Sequence, residues 1–342
     1  MGKVCTFRKG YGISKENLSS DGTPCILYGE LYTTYKTAIA KNIKSKTSLD
    51  PTILFHSKKN DVIIPCSGET AVDIATARCV PFDSILLGGD LNVISLHKYD
   101  GAFMSYQLNG KRKYDIARVA QGVSVVHLYG EHLKTIKTYN PTLPEQQKIA
   151  ILLSLLDERI ATQNKIIEDL KKLKSAISLK MLHSDSWEQF KIQDIASIGR
   201  GRVISSVEIS QQENPLYPVY SSQTSNDGIM GYLDDFMFEG EYISWTTDGA
   251  NAGTVFYRNG KFNCTNVCGL LKLKKGFDAH FVSLVLAEAT RMYVSTNLAN
   301  PKLMNNTMGN IQIRLPKLEE QKRISVVFRK LHGLLETHNS LI

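Results

Sequence analysis

Between Ile149 and Met181 apolar side chains return in alternating steps of four and three: Ile149, Leu153, Leu156, Ile160, Ile167, Leu170, Ile177 and Met181, with Gln163 and Lys174 as polar breaks. Such a heptad stripe predicts a helix that packs along one seam. The same register returns at Ile324, Phe328, Leu331, Leu335, His338 and Ile342. Each segment opens on a proline turn followed by Glu and Gln, Glu145-Gln146 in one and Glu320-Gln321 in the other. An acidic first turn suits the positive end of a helix dipole. Two long helices are therefore expected, one of about 38 residues spanning on the order of 55–60 Å and one of about 23 residues spanning roughly 35 Å.

The two segments are copies of one another. Without a gap, at an offset of 175, Pro141 matches Pro316, Leu143 matches Leu318, Gln146 matches Gln321, Ile149 matches Ile324, Leu156 matches Leu331 and Asn164 matches Asn339. A repeat of this kind governs the reading of the whole chain. The first helix leaves one globular segment and arrives at the next, and the second leaves that next segment. To share a seam they must run antiparallel, which puts Gln163 level with His338 as a polar layer.

The globular segments also look like degenerate copies. QDIASIGRGRVIS (193–205) lines up with GKVCTFRKGYGIS (2–14), and NDVIIPCSG (60–68) stands where GEYISWTTDG (240–249) stands in the second copy. Each is a short apolar strand followed by a loop of small residues. SILLGGDLNVISL (84–96) is rich in strand formers, RNGKFN (258–263) reads as a hairpin turn, and FVSLVLAEATRMY (281–293) has helical spacing. The expected fold class is α/β (α+β): two similar strand-rich domains separated by two long helices that form an antiparallel coiled coil, a pseudo-twofold repeat. The boundaries fall at 1–140, 141–184, 185–315 and 316–342.

Charge separates the two copies. The chain carries a net +8, but residues 1–140 hold 18 Lys and Arg against 12 Asp and Glu, whereas residues 187–316 hold 11 against 12. A basic segment suits a polyanionic partner, because phosphate binding is driven by positive charge and counterion release. No apolar run approaches the roughly 18 residues of a membrane span, and MGKVCTFRKG lacks the apolar core of an export signal. A soluble cytoplasmic protein without a membrane partner is expected. Of the six cysteines only Cys264 and Cys268 lie close, and no nearby Cys or His completes a zinc set. They read as ordinary buried thiols in a reducing compartment.

Catalytic motifs are fragmentary. Asn214-Pro215-Leu216-Tyr217 resembles the base-flipping tetrapeptide of adenine methyltransferases, but Leu216 replaces its second proline and no glycine-rich cofactor loop accompanies it. Asp169-Leu170-Lys171 imitates part of a nuclease site, yet Leu170 is a seam position. Gly10-Tyr11-Gly12 and Gly199-Arg200-Gly201 read as turns. No catalytic and no metal-binding residue is assigned.

Residues suited to DNA are easier to name. Base edges are read by Arg at guanine and by Asn or Gln at adenine, and Arg200, Arg202, Ser221, Gln223, Thr224 and Asn226 occupy polar loop-like stretches of the second copy. In the first copy Arg8, Lys9, Lys36, Lys41, Lys44, Lys111, Arg112 and Lys113 are placed to meet phosphates, which position a protein without specifying sequence.

The order of domain, helix, domain, helix resembles the DNA-specificity subunits of type I restriction-modification systems. LPEQQKIA (143–150), LPKLEEQKRI (315–324), LLSLLDERIATQNKIIEDLKKLKSAISLKML (152–182) and WEQFKIQDIASIGRG (187–201) are similar to that family's helix and domain-entry signatures. The resemblance implies a non-catalytic subunit whose two target recognition domains each read half of an interrupted double-stranded DNA site, with the helix pair as a ruler. It implies two methyltransferase subunits that modify adenine with S-adenosylmethionine, and motor-nuclease subunits that use ATP and magnesium. No cofactor is expected on this chain. The first domain starts at the point matching Ile192 and the second helix reaches Ile342, about 16 residues short of the first copy, so a shortened seam is expected. A complete fused restriction-methylation enzyme would need motifs absent here, and a coiled-coil scaffold spacing two protein-binding domains would not need the basic first domain.

Overall fold

A computed structural model describes residues 1–295 and 300–341. The chain divides into two compact units, Met1–Thr162 and Gln163–Ile342, and the division falls inside the first long helix.

In the first unit a four-stranded antiparallel sheet is built from β1 (Cys5–Lys9), β2 (Asp61–Pro65), β3 (Arg78–Val80) and β4 (Leu91–Leu96), in the order β1-β4-β2-β3. All five residues of β2 are buried. Successive side chains of a strand point to opposite faces, so Val62 and Ile64 enter one core with Ile94, Met104 and Leu108, while Ile63 enters another with Ile26, Leu87 and Val93. Cores on both faces explain why Val62–Ile64 is a continuous apolar run instead of an alternating one. α1 (Gly101–Asn109) follows, capped by the Asp100 carboxylate, which accepts from the Phe103 amide at 2.7 Å. Beyond it runs α2 (Leu143–Met181), 39 residues.

The second unit repeats the plan with β5 (Ala196–Arg200), β6 (Tyr217–Tyr220), β7 (Ile229–Leu233), β8 (Tyr242–Thr246), β9 (Val255–Arg258), β10 (Lys261–Cys264) and β11 (Cys268–Leu273). Its first sheet has the order β5-β11-β8-β9. Ala196 faces Leu273 across β5 and β11, as Cys5 faces Leu96 across β1 and β4, so the alignment of 193–205 with 2–14 holds in register over its strand, 196–200 against 5–9. Behind this sheet lie Trp245, Leu271, the helix α3 (Ala279–Ala289) and the helix α4 (Leu318–Asn339), which supplies Ile324 and Phe328. A side chain at Gly269 would place its Cβ about 2.3 Å from the Trp245 ring, so only glycine fits there. The indole N–H donates to the Leu303 carbonyl at 2.8 Å, the partner a buried tryptophan requires.

RNGKFN does not close a hairpin. β9 pairs with β8, whereas β10 pairs in parallel with β6 in a second sheet, so the turn at Asn259-Gly260 carries the chain from one sheet to the next. Cys264 and Cys268 are also not free: they form a disulfide between the ends of β10 and β11, while Cys5, Cys25, Cys66 and Cys79 are buried thiols. The turn between the two strands, closed by the Cys268 amide on the Thr265 carbonyl at 3.1 Å, brings the two sulfurs together.

One contact recurs in both units. Gln146 donates through Nε2 to the Pro141 carbonyl at 2.8 Å and accepts at Oε1 from the Asp100 amide at 3.0 Å. Gln321 donates to the Pro316 carbonyl at 2.8 Å and accepts from the Asp278 amide at 3.0 Å. Asp278 caps α3 as Asp100 caps α1, again at 2.7 Å. Both glutamines are buried. Each long helix is thus fastened at its start to the capping residue of its own domain's helix, and both hydrogen-bonding ends of the amide are used, as a buried amide demands.

Within the second unit α4 and the later part of α2 run in opposite directions. His338 Nδ1 lies 2.7 Å from Gln163 Oε1, and Ile177 and Met181 share a core with Ile324 and Phe328. Ile167, Leu331 and Leu335 are buried and Leu170 half-buried. Ile342 lies outside the described residues.

Candidate nucleic-acid interface

In the second unit β6 ends at Tyr220 and the chain turns through Ser221–Gly228 before β7. The turn needs left-handed backbone at three consecutive residues, Asn226 (φ 50°), Asp227 (φ 52°) and Gly228 (φ 80°). Asn, Asp and Gly are the residues that tolerate it. The Ser221 amide closes the loop on the Gly228 carbonyl at 2.9 Å, and Gln223 Nε2 donates to the Ile229 carbonyl. Thr224 and Asn226 are exposed, Ser221 and Gln223 half-buried. Of the four residues expected to read bases here, two project freely and Gln223 already spends a donor on the loop itself.

Below the loop sits Arg258, 2% exposed. Its guanidinium donates to the Asp227 carboxylate at 2.6 Å, to the Asp227 carbonyl at 2.8 Å and to Ser244 Oγ at 3.0 Å, and lies 3.6 Å from the centre of the Tyr220 ring. Burial holds its pKa below the usual arginine range, and the Asp227 carboxylate works against that effect.

Arg200 and Arg202 make their hydrogen bonds away from this loop. Arg200 Nε donates to Asn305 Oδ1 at 2.9 Å, and Arg202 makes a two-pronged pair with Glu208 that raises the arginine's pKa and lowers the glutamate's.

In the first unit the expected phosphate contacts divide. Arg8 is committed to Asp61 at 2.8 Å and Ser95 at 2.6 Å, with its guanidinium 4.9 Å over Phe55. Lys41 reaches Ser154 Oγ at 2.9 Å and pairs with Glu158, fastening α2 to its own domain. Arg112 pairs with Asp115 at 3.1 Å and, with Lys111, lies over the Tyr139 ring. Lys9 stands 3.9 Å from Asp90 and stays largely exposed, as does Lys44. Lys36 and Lys113, distant in sequence, line one cavity of about 340 Å³ together with Arg78, Tyr106 and Asp157. Arg78 is buried, donates to the Tyr35 carbonyl at 2.6 Å, and burial pulls its pKa down to about 10.

Sequence reasoning missed Arg78 and Arg258. Each ends or opens a short strand, and nothing local distinguishes such an arginine from a solvated one. The only signal for Arg258 was its place beside the turn Asn259-Gly260.

The seam residues of α2 in the first unit are not covered. Ile149, Leu156 and Ile160 are exposed together with Leu152 and Leu155, and Leu153 is half-buried, so an apolar face runs along the first half of that helix. Among the described residues no group of three or more His, Cys, Asp or Glu could hold a metal ion, and no helix is long and apolar enough to cross a membrane.

Comparison with known proteins gives a consistent answer. The family model described as a type I restriction modification DNA specificity domain matches residues 1–172 and again 184–342. A putative type I specificity subunit of Mycoplasma pneumoniae is 38% identical over 198 residues, covering 56% of this chain and 82% of that protein. The type I restriction enzyme MpnII specificity subunit of the same organism is 43% identical over 150 residues, covering 42% of this chain and 44% of that protein. The crystal structure of an S subunit of a type I restriction-modification system from M. genitalium has the same fold, with a TM-score of 0.73 at 18% identity over 99% of this chain and 90% of that one.

Proposed function

Because the chain belongs to the family of type I restriction-modification DNA-specificity proteins, we propose that its two units read the two halves of one interrupted DNA target and direct partner subunits to it. The observation that carries this reading is the duplication itself. Each unit has the same sheet order, its own long helix and the same buried glutamine fastening that helix to the domain. A protein with two recognition heads joined by one continuous helix reads two separated sequences with a fixed gap. The heads differ in the residues they offer, which suits two unlike half-sites.

The chemistry belongs to the partners. Two methyltransferase subunits would bring S-adenosylmethionine to adenine, and motor-nuclease subunits would bring ATP and magnesium for restriction. The uncovered apolar face of α2 from Ile149 to Ile160 supports such a partner, since contiguous exposed apolar surface of this kind marks an interaction site. The exposed cations Lys9, Lys36, Lys44 and Lys111 suit phosphate contacts, which hold register on the duplex without specifying it. The chain's place would be the cytoplasm, where its DNA is.

The test is a genome-wide map of adenine methylation by single-molecule sequencing, in hosts with and without the gene. The expected result is loss, on deletion, of one motif with two defined halves and a constant gap. An unchanged map in a host whose methyltransferase subunits copurify with the protein would overturn the reading.

A further inference from the structure

Arg258 holds the loop between β6 and β7 from both sides of its span. Its aromatic contact is to Tyr220, the last residue before the loop, and its ionic contact is to Asp227, near the loop's end. Its third contact, Ser244, lies on β8 in the neighbouring sheet. The guanidinium also lies 4.4 Å from the centre of the Phe256 ring. One buried side chain therefore ties the beginning and the end of the loop to a sheet that is itself packed on α3.

The loop's shape carries a backbone cost. Asn226 and Asp227 lie in the left-handed region, which Asn and Asp tolerate better than other side-chain-bearing residues but at a cost the surroundings offset. The loop's own bonds run from the Ser221 amide to the Gly228 carbonyl, from Gln223 to the Ile229 carbonyl and from the Ile229 amide to the Asn226 carbonyl, and none of them reaches the neighbouring sheet. Gly228 is tightly enclosed: a Cβ there would come within 3.1 Å of both Arg258 Nη2 and the Gln223 carbonyl. The Asp227 side chain is 65% exposed while Arg258 is buried, so the cation's own place is fixed by the core and the loop is drawn down onto it. A guanidinium has a planar fork that can serve a carboxylate, a carbonyl and a ring face at once, which lysine's point charge cannot.

We propose that Arg258 is the positioning residue of the second unit's recognition loop, setting where Thr224 and Asn226 stand against DNA without itself reaching a base or a phosphate. The inference rests on the reading that the second unit contacts one half of the target. A buried residue in this role governs sequence discrimination. It leaves the phosphate contacts, and with them the salt dependence of binding, to the surface cations.

The test uses the full chain in its host and has two arms. Adenine methylation is mapped with the wild type, Arg258→Lys and Asp227→Asn, and amide hydrogen exchange is followed on the same purified proteins without DNA. The expected result is a relaxation confined to one half-site, with methylation at singly mismatched versions of that half rising at least tenfold and the other half unchanged. The amides of 221–228 should exchange at least tenfold faster, while those of β5 and β11 keep their rates. Asp227→Asn leaves the core arginine in place and weakens only the loop's grip on it, so it carries the test if Arg258→Lys fails to fold. Unchanged exchange in the loop would overturn the proposal. So would faster exchange with both half-sites read as strictly as before. A wild type that methylates no bipartite motif would instead sink the functional reading, and the exchange arm would still decide whether Arg258 holds the loop.

Discussion

Ile149, Leu156 and Ile160 on α2 and Ile324, Leu331 and Leu335 on α4 are the same repeat positions, yet the first three are 40, 48 and 45% exposed and the second three 2, 7 and 9%. The stripe is identical in pattern and opposite in fate. In the second unit α4 lies against the later part of α2 and against α3, so its stripe enters a core. In the first unit the equivalent stretch of α2 meets its domain through Gln146, Ala150, Ser154, Asp157 and Glu158, on a different side, and leaves Ile149, Leu156 and Ile160 to solvent. A heptad thus states which face a helix will bury but not what will bury it.

That contrast can be broken by matched substitutions. Phe328→Ala should cost the second unit about 3–5 kcal/mol, the usual penalty for emptying a buried phenylalanine site. Its counterpart Leu153→Ala, at a half-buried position, should cost far less. The triple change Ile149→Ser, Leu156→Ser, Ile160→Ser should alter the stability of the isolated chain by no more than about 1 kcal/mol while abolishing copurification of methyltransferase subunits. Urea denaturation reads the first part and affinity capture from the host the second. A triple variant that unfolds, or that still captures its partners normally, would show that the stripe is covered by the chain itself or is not an interface.

The glutamine fastening supplies the opposite comparison, a feature expected to be equal in both units. Gln146→Leu and Gln321→Leu each leave a backbone N–H and a carbonyl without their partner, at about 1–3 kcal/mol apiece. The two losses should agree within about 0.5 kcal/mol in equilibrium unfolding followed by a probe placed in each unit. A large inequality would mean that the matching geometry hides different surroundings.

How much of this is visible in the chain depends on the length scale of the signal. The gapless offset linking Pro141 to Pro316 exposes the duplication, and the 4-3 spacing locates both long helices to within a few residues. The level pairing of Gln163 with His338 follows from helix geometry, and those two side chains are hydrogen-bonded. Short-range turn chemistry misleads at Asn259-Gly260, because an Asn-Gly turn bends the chain wherever the next strand pairs, and here that is another sheet. Charge misleads in a different manner. Arg8, Lys41 and Arg202 look like free cations in the sequence, but Asp61, Glu158 and Glu208 reach them through folding. Burial of Arg78 and Arg258 comes from strand order, which no local pattern states.

A pH-dependent effect lies where the repeats differ by one polar pair. His280 Nδ1 lies 2.8 Å from Ser325 Oγ in the second unit, and the equivalent positions in the first are Ala102 and Ala150. Burial pulls the His280 pKa from 6.5 to about 4, helped by Arg329, His332 and Lys174 and opposed by Asp278. The unfolded chain therefore binds a proton near pH 6.5 that the folded chain refuses until about pH 4. Stability linked to this group is complete above pH 6.5, falls as the pH drops between those values, and stops falling below the lower one. A tenfold difference in proton affinity is worth about 1.4 kcal/mol, which bounds the loss at roughly 3 kcal/mol. Partial solvent access makes about 1–2 kcal/mol the better expectation. His280→Ala with Ser325→Ala gives the second unit the first unit's pair, and its unfolding midpoint should decline less steeply between pH 6.5 and 4 than that of the wild type. Parallel declines would mean that the imidazole is as well solvated in the fold as in the unfolded chain, and that this difference between the repeats has no energetic weight.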